Sequence, residues 1–276
     1  MSDDALNAAD ACASQSDYER AVDLYTEVLS KTDSDVKALS GRANAYIKLK
    51  DDVRAMADVQ QAIKLQPENS LLQVQLSQVY RLQGLFEEGA ALMTEAMERA
   101  GEQDGLPLLL ERAHCHRRDM AYQKALNDYH AVLAREPDNV DALQGRGATY
   151  WIGNVENCIA DCRRALELDP TCAPASFTLG EALRISGRPA EALQHFTSCL
   201  EHRNKERMDE SDIYACRGLC LQLCFRNEEA IADLEKAFVG KPDRQKQALW
   251  QFKANHFLGV AAFDAGLKEH YYTNIC

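Results

Sequence analysis

The chain has 276 residues, of which 46% are hydrophobic and 27% charged, a composition that favours a folded, soluble protein over a disordered or membrane-spanning one. Its formal net charge of −12 disfavours non-specific nucleic-acid binding, which depends on neutralising phosphates. The acidic N-terminus shows no secretory or transit signal, and the longest apolar stretches are too short to cross a bilayer. We therefore expect a cytoplasmic protein without membrane insertion.

The ten cysteines lack the two-residue gap of a zinc ribbon or thioredoxin-like site. Cys158 and Cys162 are four residues apart, as are Cys216, Cys220 and Cys224 in succession, so each set lies on one face of a predicted helix. A metal site would need two further ligands that converge on such a pair. We favour reduced cysteines packed in a core, in a reducing compartment, and predict no metal and no other cofactor.

One fifteen-residue pattern recurs along the chain, at 55–69, 125–139, 158–172 and 230–244. It belongs to a longer repeat of about 34 residues, each copy of which is anchored on a small residue. The seven anchors are Ala9, Ala43, Ser77, Ala113, Gly147, Gly180 and Gly218. Apolar residues at three- and four-residue spacing predict two amphipathic helices in each copy, and a proline after the second helix ends several of them.

In chain order the copies are predicted near 2–35, 36–69, 70–103, 106–139, 140–172, 173–206 and 211–243, and we number them repeats 1 to 7. Polar insertions separate repeats 3 and 4 and repeats 6 and 7. The array thus spans 1–243, and 244–276 is predicted to form a long capping helix and a truncated eighth repeat. The alternative for this last segment is an incompletely covered face that binds a partner or a second copy.

These repeats resemble those of the tetratricopeptide repeat (TPR) family, which are helix–turn–helix motifs. In repeat 6 the family's Leu-Gly pair is Leu179-Gly180, and its Ala-x3-Phe motif is formed by Ala192 and Phe196. The aromatic position of the first helix is filled by Tyr46, Tyr80 and Tyr150. The family's tryptophan position is never filled, and repeat 3 lacks the proline and the first alanine. The resemblance implies an all-α, right-handed superhelical solenoid that binds peptides or protein surfaces along its concave side.

Four arginines directly precede an anchor residue, and the same repeats carry an aspartate in the second helix. The pairs are Arg42 with Asp58, Arg112 with Asp128, Arg146 with Asp161, and Arg217 with Asp233. The other three repeats have neither residue. We predict a structural Arg–Asp contact, because arginine suits bidentate pairing with a carboxylate. The alternative is that these arginines contact a ligand.

The resemblance places the binding surface on the first helix of each repeat. Carried over position by position, it gives a central group of cationic and aromatic side chains. This group consists of Arg81, His114, Arg117, Arg118, Trp151 and Arg184. Because Arg and Trp are enriched at interface hot spots, we predict that the group binds an acidic or aromatic-containing segment of a partner. The alternative is that Arg117 and Arg118 are solvated and that Trp151 packs on the neighbouring repeat.

No nucleophile elbow, zinc-protease motif, phosphate loop or EF-hand occurs, so we predict no enzyme activity. We predict instead a protein-binding adaptor or scaffold, a subunit of a larger assembly; cytoskeletal and ciliary structures are among those that use such arrays. One alternative is a co-chaperone that binds the acidic C-terminal tails of chaperones, but its carboxylate-clamp positions lack the required cations. In the first three repeats they hold Leu6, Asp10, Gly41, Leu71 and Gln75. An RNA-binding helical repeat is a further alternative, which the net charge disfavours.

Overall fold

The computed structural model describes residues 2–100, 105–151, 153–202 and 209–237. Within these ranges the secondary structure consists of fourteen α-helices, without strands. The helices are α1 Ser2–Ser14, α2 Tyr18–Lys31, α3 Val36–Lys48, α4 Asp52–Leu65, α5 Ser70–Leu82, α6 Phe86–Ala100, α7 Gly105–Arg118, α8 Tyr122–Arg135, α9 Val140–Tyr150, α10 Val155–Leu168, α11 Ala173–Ile185, α12 Pro189–His202, α13 Glu210–Leu223 and α14 Asn227–Lys236. The predicted all-α class of helix–turn–helix repeats is confirmed.

The helices divide into two compact units, 1–145 and 146–276, with the boundary inside α9. In the N-terminal unit the first helices of neighbouring repeats, α1, α3, α5 and α7, contact one another in succession, whereas the second helices contact only first helices. The first helices therefore form a continuous inner layer, and the second helices form an outer layer. The predicted end of the array at residue 243 and the capping segment 244–276 lie outside the described residues.

Aspartate or asparagine side chains set the beginnings of many helices. Asp35 accepts hydrogen bonds from the backbone N–H groups of Lys37 and Ala38, at 3.0 and 3.1 Å, and so satisfies donors that have no partner within the helix. Asp17, Asp51, Asn69, Asn154 and Asp209 cap α2, α4, α5, α10 and α13 in the same way. Proline follows the ends of α4, α8 and α10, where it cannot continue a helix. The borders of these helices are thus determined by residues close to them in the sequence.

In six of the repeats the turn between the two helices contains one residue with a left-handed backbone. These residues are Ser16, Lys50, Gly84, Met120, Gly187 and Phe225, with φ between 60° and 80°. Only two of them are glycine, the residue that adopts this conformation without a steric penalty. Met120 and Phe225 have side chains that disfavour this backbone conformation. They are also 71% and 85% exposed, so burial does not offset the cost.

Small anchor residues let the two helices of a repeat approach closely. Ala9, Ala43 and Ala113 are completely buried, and a Cβ atom added at Gly180 would lie 2.8 Å from Cε1 of Phe196. The ring of Phe196 is itself fully buried in that space. Burying such a large apolar side chain stabilises the fold by about 1.5–3 kcal/mol. The core is therefore distributed along the array, with each repeat filling the space that its neighbours leave.

The cysteines contribute to this core as free thiols in the part of the chain that is described. Burial raises the pKa of Cys115 to about 11 and that of Cys220 to about 12, so both thiols are protonated at neutral pH. No cluster of three or more His, Cys, Asp or Glu side chains suited to a metal ion occurs among the described residues. Within the same residues, no helix has the length and apolar character needed to span a membrane.

Candidate functional site

The four predicted Arg–Asp pairs each form a bidentate contact between the two helices of one repeat. In repeat 2 the Nε and Nη2 atoms of Arg42 donate to the two carboxylate oxygens of Asp58, both at 2.8 Å. Arg112 pairs with Asp128, Arg146 with Asp161, and Arg217 with Asp233 in the same way. The four aspartates are buried, and pairing with them raises the pKa of each arginine. The carboxylates thus use the donors that a ligand would need.

Three of these arginines also reach the preceding repeat. The Nη1 atom of Arg42 donates to the hydroxyl of Thr26 on α2, at 3.0 Å. Arg112 donates to Thr94 on α6, and Arg217 donates to Thr197 on α12. One guanidinium therefore joins three helices, which argues for a structural role over a ligand contact.

In repeat 3 a different ion pair replaces this arrangement. Arg81, on α5, donates through Nε and Nη2 to Glu111 on α7, at 3.0 and 3.3 Å. Glu111 is only 3% exposed and also accepts a long hydrogen bond from Ser77. Burial raises the pKa of Glu111, whereas the Arg81 charge opposes that shift. Arg81, one of the predicted partner-binding residues, is therefore paired with a carboxylate of the protein itself.

His114 and Arg117 meet at a buried phenol. The hydroxyl of Tyr129, on α8, lies 2.8 Å from Nδ1 of His114, and their rings form an edge contact. The positive charge of Arg117 lowers the pKa of Tyr129, which burial raises to about 12. The Nε atom of Arg117 is buried without a hydrogen-bond partner. Arg117 is thus held against a neutral group.

Arg118 completes a group of three guanidinium side chains in the N-terminal unit. It is exposed, and its guanidinium lies 5.5 Å from the ring centroid of Phe86. Its pKa is lowered by partial burial and then by the charges of Arg117 and Arg81. We call Arg81, Arg117 and Arg118 the arginine cluster. The positive charges of Arg117 and Arg81 both act on Arg118, so an anion beside the cluster would relieve their repulsion.

The remaining two predicted residues, Trp151 and Arg184, belong to the C-terminal unit. Trp151 follows the end of α9 and is 38% exposed. Arg184 donates twice to Glu181 on its own helix, at 2.9 Å. The structure therefore brings four of the six predicted residues together, namely Arg81, His114, Arg117 and Arg118. Arg184 is instead paired with Glu181 of the protein itself.

Two residues of the site escaped sequence reasoning, namely Glu111 and Tyr129. Tyr129 had a detectable signal, because it follows His114 by fifteen residues and precedes Gly145 by sixteen. A Cβ atom at Gly145 would lie 2.5 Å from Cζ of Tyr129, so the glycine is needed to accommodate the ring. Glu111 had no comparable signal.

The same pattern occurs near the N-terminus, with Asp10, Tyr25 and Gly41. The Tyr25 hydroxyl donates to Asp10 at 2.5 Å, and a Cβ atom at Gly41 would lie 2.4 Å from Cζ of Tyr25. A groove of about 640 Å³ opens here and is also lined by Lys37 and Lys48. This groove carries charges of both signs, in contrast to the arginine cluster.

A fold of paired helices with a continuous layer of first helices defines an α-helical repeat protein. The sequence matches the family profile described as tetratricopeptide repeat over residues 6–70, and a second one, described as tetratrico peptide repeat, over residues 140–255. The chain belongs to the tetratricopeptide repeat family. Arrays of this family act as protein-interaction scaffolds.

Known proteins with a similar sequence are longer than this chain. The DnaJ homolog subfamily C member 7 homolog of Schizosaccharomyces pombe is 23% identical over 251 residues, which cover 80% of this chain and 53% of that protein. The Hsp70-Hsp90 organizing protein of Triticum aestivum is 23% identical over 266 residues, which cover 95% of this chain and 40% of that protein. The chain thus spans about half the length of these relatives or less. A solved structure of the APC/C hetero-tetramer Cut9-Hcn1 has a TM-score of 0.75 at 12% identity, covering 98% of this chain and 51% of that one, so the similarity is one of fold.

Proposed function

We propose that this protein is a non-catalytic scaffold that binds an acidic segment of a partner protein at the arginine cluster. The observation that carries the proposal is the charge of that cluster, in which three guanidinium groups are accompanied by one carboxylate, Glu111, which pairs with Arg81. A cationic patch on an acidic chain selects acidic partners, both by steering their approach and by pairing with them. His114 adds a polar group and the ring of Phe86 adds an apolar one, whereas the hydroxyl of the buried Tyr129 contacts His114.

We propose that Trp151 and Arg184, in the C-terminal unit, also contact the partner. The exposed part of the Trp151 ring provides an apolar anchor of the kind that dominates interface energetics. Arg184 can share its guanidinium between Glu181 and a partner. We further propose that the scaffold is a subunit of a larger assembly in the cytoplasm, with cytoskeletal and ciliary assemblies among the candidates.

The experiment is affinity capture from native cells with the wild type and a variant carrying Arg117→Gln and Arg118→Gln. A matched control carries Arg99→Gln and Arg226→Gln, which remove two exposed arginines and change the net charge equally. Equal helicity of all three proteins is checked by circular dichroism. We expect one set of partners to be lost from the cluster variant and retained by the control. Identical partners for all three proteins would contradict the proposal.

A second candidate function is that of a co-chaperone, because two relatives are named as a DnaJ homolog and an Hsp70-Hsp90 organizing protein. Against it stands the absence of cations at the clamp positions of the first three repeats, where Leu6, Gly41 and Leu71 are found. Without cations directed at a terminal carboxylate, affinity for the tail is lost. Fluorescence polarisation with a labelled chaperone tail peptide distinguishes the two, and micromolar affinity would favour the co-chaperone.

A further inference from the structure

Three arginines occupy the same position of the repeat, four residues after the anchor. They are Arg81 in repeat 3, Arg117 in repeat 4 and Arg184 in repeat 6. Arg81 pairs with Glu111 of the next repeat, and Arg184 pairs with Glu181 of its own helix. Two of the three guanidinium groups are therefore neutralised within the protein.

Arg117 differs because its carboxylate position is missing. Glu111, which pairs with Arg81, stands two residues before the anchor of repeat 4, and the corresponding residue of repeat 5 is Gly145. The ring of Tyr129 fills the space beside that glycine, and its neutral hydroxyl contacts Arg117 where a carboxylate would otherwise lie. A buried Nε donor of Arg117 is left without a partner. The register of the repeats thus creates one guanidinium without a counter-charge.

Arg118 supplies a second positive charge beside it. Across the residues that the structure describes, neither Arg117 nor Arg118 forms an ion pair with a carboxylate. Arg81 and Glu111 cancel each other, so the local excess is two positive charges. A carboxylate side chain of a partner would neutralise only half of this excess, whereas a phosphate monoester at neutral pH carries close to two negative charges.

We propose that Arg117 and Arg118 form a binding site for the phosphate of a phosphorylated side chain in the partner protein. Guanidinium groups match phosphate oxygens in geometry as well as charge, because each can donate two parallel hydrogen bonds. The Nε atom of Arg117 is buried without a hydrogen-bond partner, so the Nη atoms of Arg117 and the exposed guanidinium of Arg118 would supply the donors to phosphate. The inference rests on the proposed function and narrows it from an acidic segment to a phosphorylated one.

The probes are three pools of short degenerate peptides that differ only at the central residue, which is phosphoserine, glutamate or serine. Binding of each pool to the whole protein is measured by fluorescence polarisation at fixed ionic strength. We expect the phosphoserine pool to bind about tenfold more tightly than the glutamate pool, because only phosphate neutralises both arginines. Arg117→Gln should abolish this preference, and Arg99→Gln, an equal change in net charge on the exposed face of α6, should leave it intact.

Two further variants separate binding from folding. Arg117→Lys keeps the positive charge and loses the planar guanidinium group. It should therefore weaken binding of the phosphoserine pool, while the urea denaturation midpoint stays near that of the wild type. Tyr129→Phe keeps the ring beside Gly145 and removes the hydroxyl next to Arg117. It should likewise weaken binding of the phosphoserine pool. If an Arg117 variant fails to fold, Arg118→Gln measures the second charge on the exposed side of the site.

Each other outcome overturns the inference in a distinct way. Equal binding of the phosphoserine and glutamate pools would leave the proposed function standing and refute the phosphate site. Binding of no pool would contradict both. An Arg117-dependent preference for a single-stranded RNA oligonucleotide over the phosphoserine pool would assign the cluster to nucleic acid instead.

Discussion

Tyr25 and Tyr129 occupy the same position in repeats 1 and 4, and the two regions differ mainly in charge. Each ring is almost completely buried beside a glycine of the next repeat, and each hydroxyl reaches a residue of the first helix in its own repeat. That residue is Asp10 in repeat 1 and His114 in repeat 4. The packing is therefore set by the tyrosine and the glycine, and the electrostatics are set by the third residue together with Arg117 and Arg118, which are Ala13 and Ser14 in repeat 1.

This difference shows how the charge around a buried tyrosine can vary between repeats while the packing stays the same. At Tyr25 the phenol donates to a carboxylate, which raises the pKa of the tyrosine together with burial. At Tyr129 the phenol contacts an imidazole and the Arg117 guanidinium, so the positive charge is not cancelled. Repeat 1 has Ala13 and Ser14 where repeat 4 has Arg117 and Arg118, so these two exchanges, together with Asp10 in place of His114, separate the mixed-charge groove from the arginine cluster.

The strongest test of the shared geometry is to add a methyl group at either glycine. Gly41→Ala and Gly145→Ala would each bring a Cβ atom within 2.5 Å of a tyrosine ring that has no free space. We expect each to destabilise the protein by about 2–3 kcal/mol, because overpacking forces the ring or the backbone to shift. Urea denaturation measures the effect. Gly105→Ala is the control, since the nearest atom to its added Cβ would lie at 3.7 Å. Unequal losses of stability in Gly41→Ala and Gly145→Ala would show that the two sites do not share the same packing.

A second test uses the titration of Tyr129, whose folded-state pKa of about 12 lies above the ordinary value of 10.0. As the pH rises above 10 the unfolded chain releases this proton first, so the free energy of unfolding falls between pH 10 and 12. We expect Tyr129 to account for a loss of about 2 kcal/mol by pH 12. The loss in the wild type is compared with that in Tyr129→Phe by denaturation across this range. Identical slopes would show that Tyr129 titrates normally.

A third test exchanges the residue that contacts the tyrosine hydroxyl in each region. His114→Asp places a carboxylate beside Tyr129 and Arg117, as Asp10 stands beside Tyr25. We expect binding of the phosphoserine pool to weaken about tenfold, which corresponds to about 1.4 kcal/mol, because the new carboxylate neutralises Arg117. The reverse exchange, Asp10→His, is the control and should leave that binding unchanged. Retained binding in His114→Asp would mean that Arg117 does not determine the site.

The smallest effect is expected at the turns that precede the two tyrosine helices. Ser16 and Met120 both have a left-handed backbone, with φ of 62° and 61°. Ser16→Gly and Met120→Gly should each stabilise the protein by about 0.5 kcal/mol, because relief of steric strain outweighs the added flexibility of the unfolded chain. Thermal unfolding measures the shift. Ser186→Gly, at a turn residue with φ of −76°, should instead destabilise.

The fold could be predicted from the sequence because its signals are local and repeated. Helix borders depend on caps and prolines within a few residues, and anchors such as Ala9 or Gly180 recur at nearly constant spacing. The Arg–Asp pairing followed from co-occurrence in the same repeats. These features need no knowledge of how one repeat sits on the next.

The site was harder because its chemistry depends on contacts between repeats. Arg81 and Arg184 were predicted to face a partner, yet each has a carboxylate within the protein. Glu111 lies across a two-residue insertion from Arg81, which shifts the register that sequence spacing would use. Charge balance at Arg117 becomes visible only when Gly145 and Tyr129 are placed beside it. Sequence identifies which residues are cationic, and only the structure shows which of them remain uncompensated.

The threonine contacts of the Arg–Asp pairs have a mechanical consequence. Arg42 links repeats 1 and 2, Arg112 links repeats 3 and 4, and Arg217 links repeats 6 and 7. A chain stretched from its ends would then yield first at the junctions that lack such a link, leaving repeats 1–2, 3–4 and 6–7 as doublets and repeat 5 on its own. Under load we expect a few separate breaking forces, one for each doublet, in place of the uniform response of a spring.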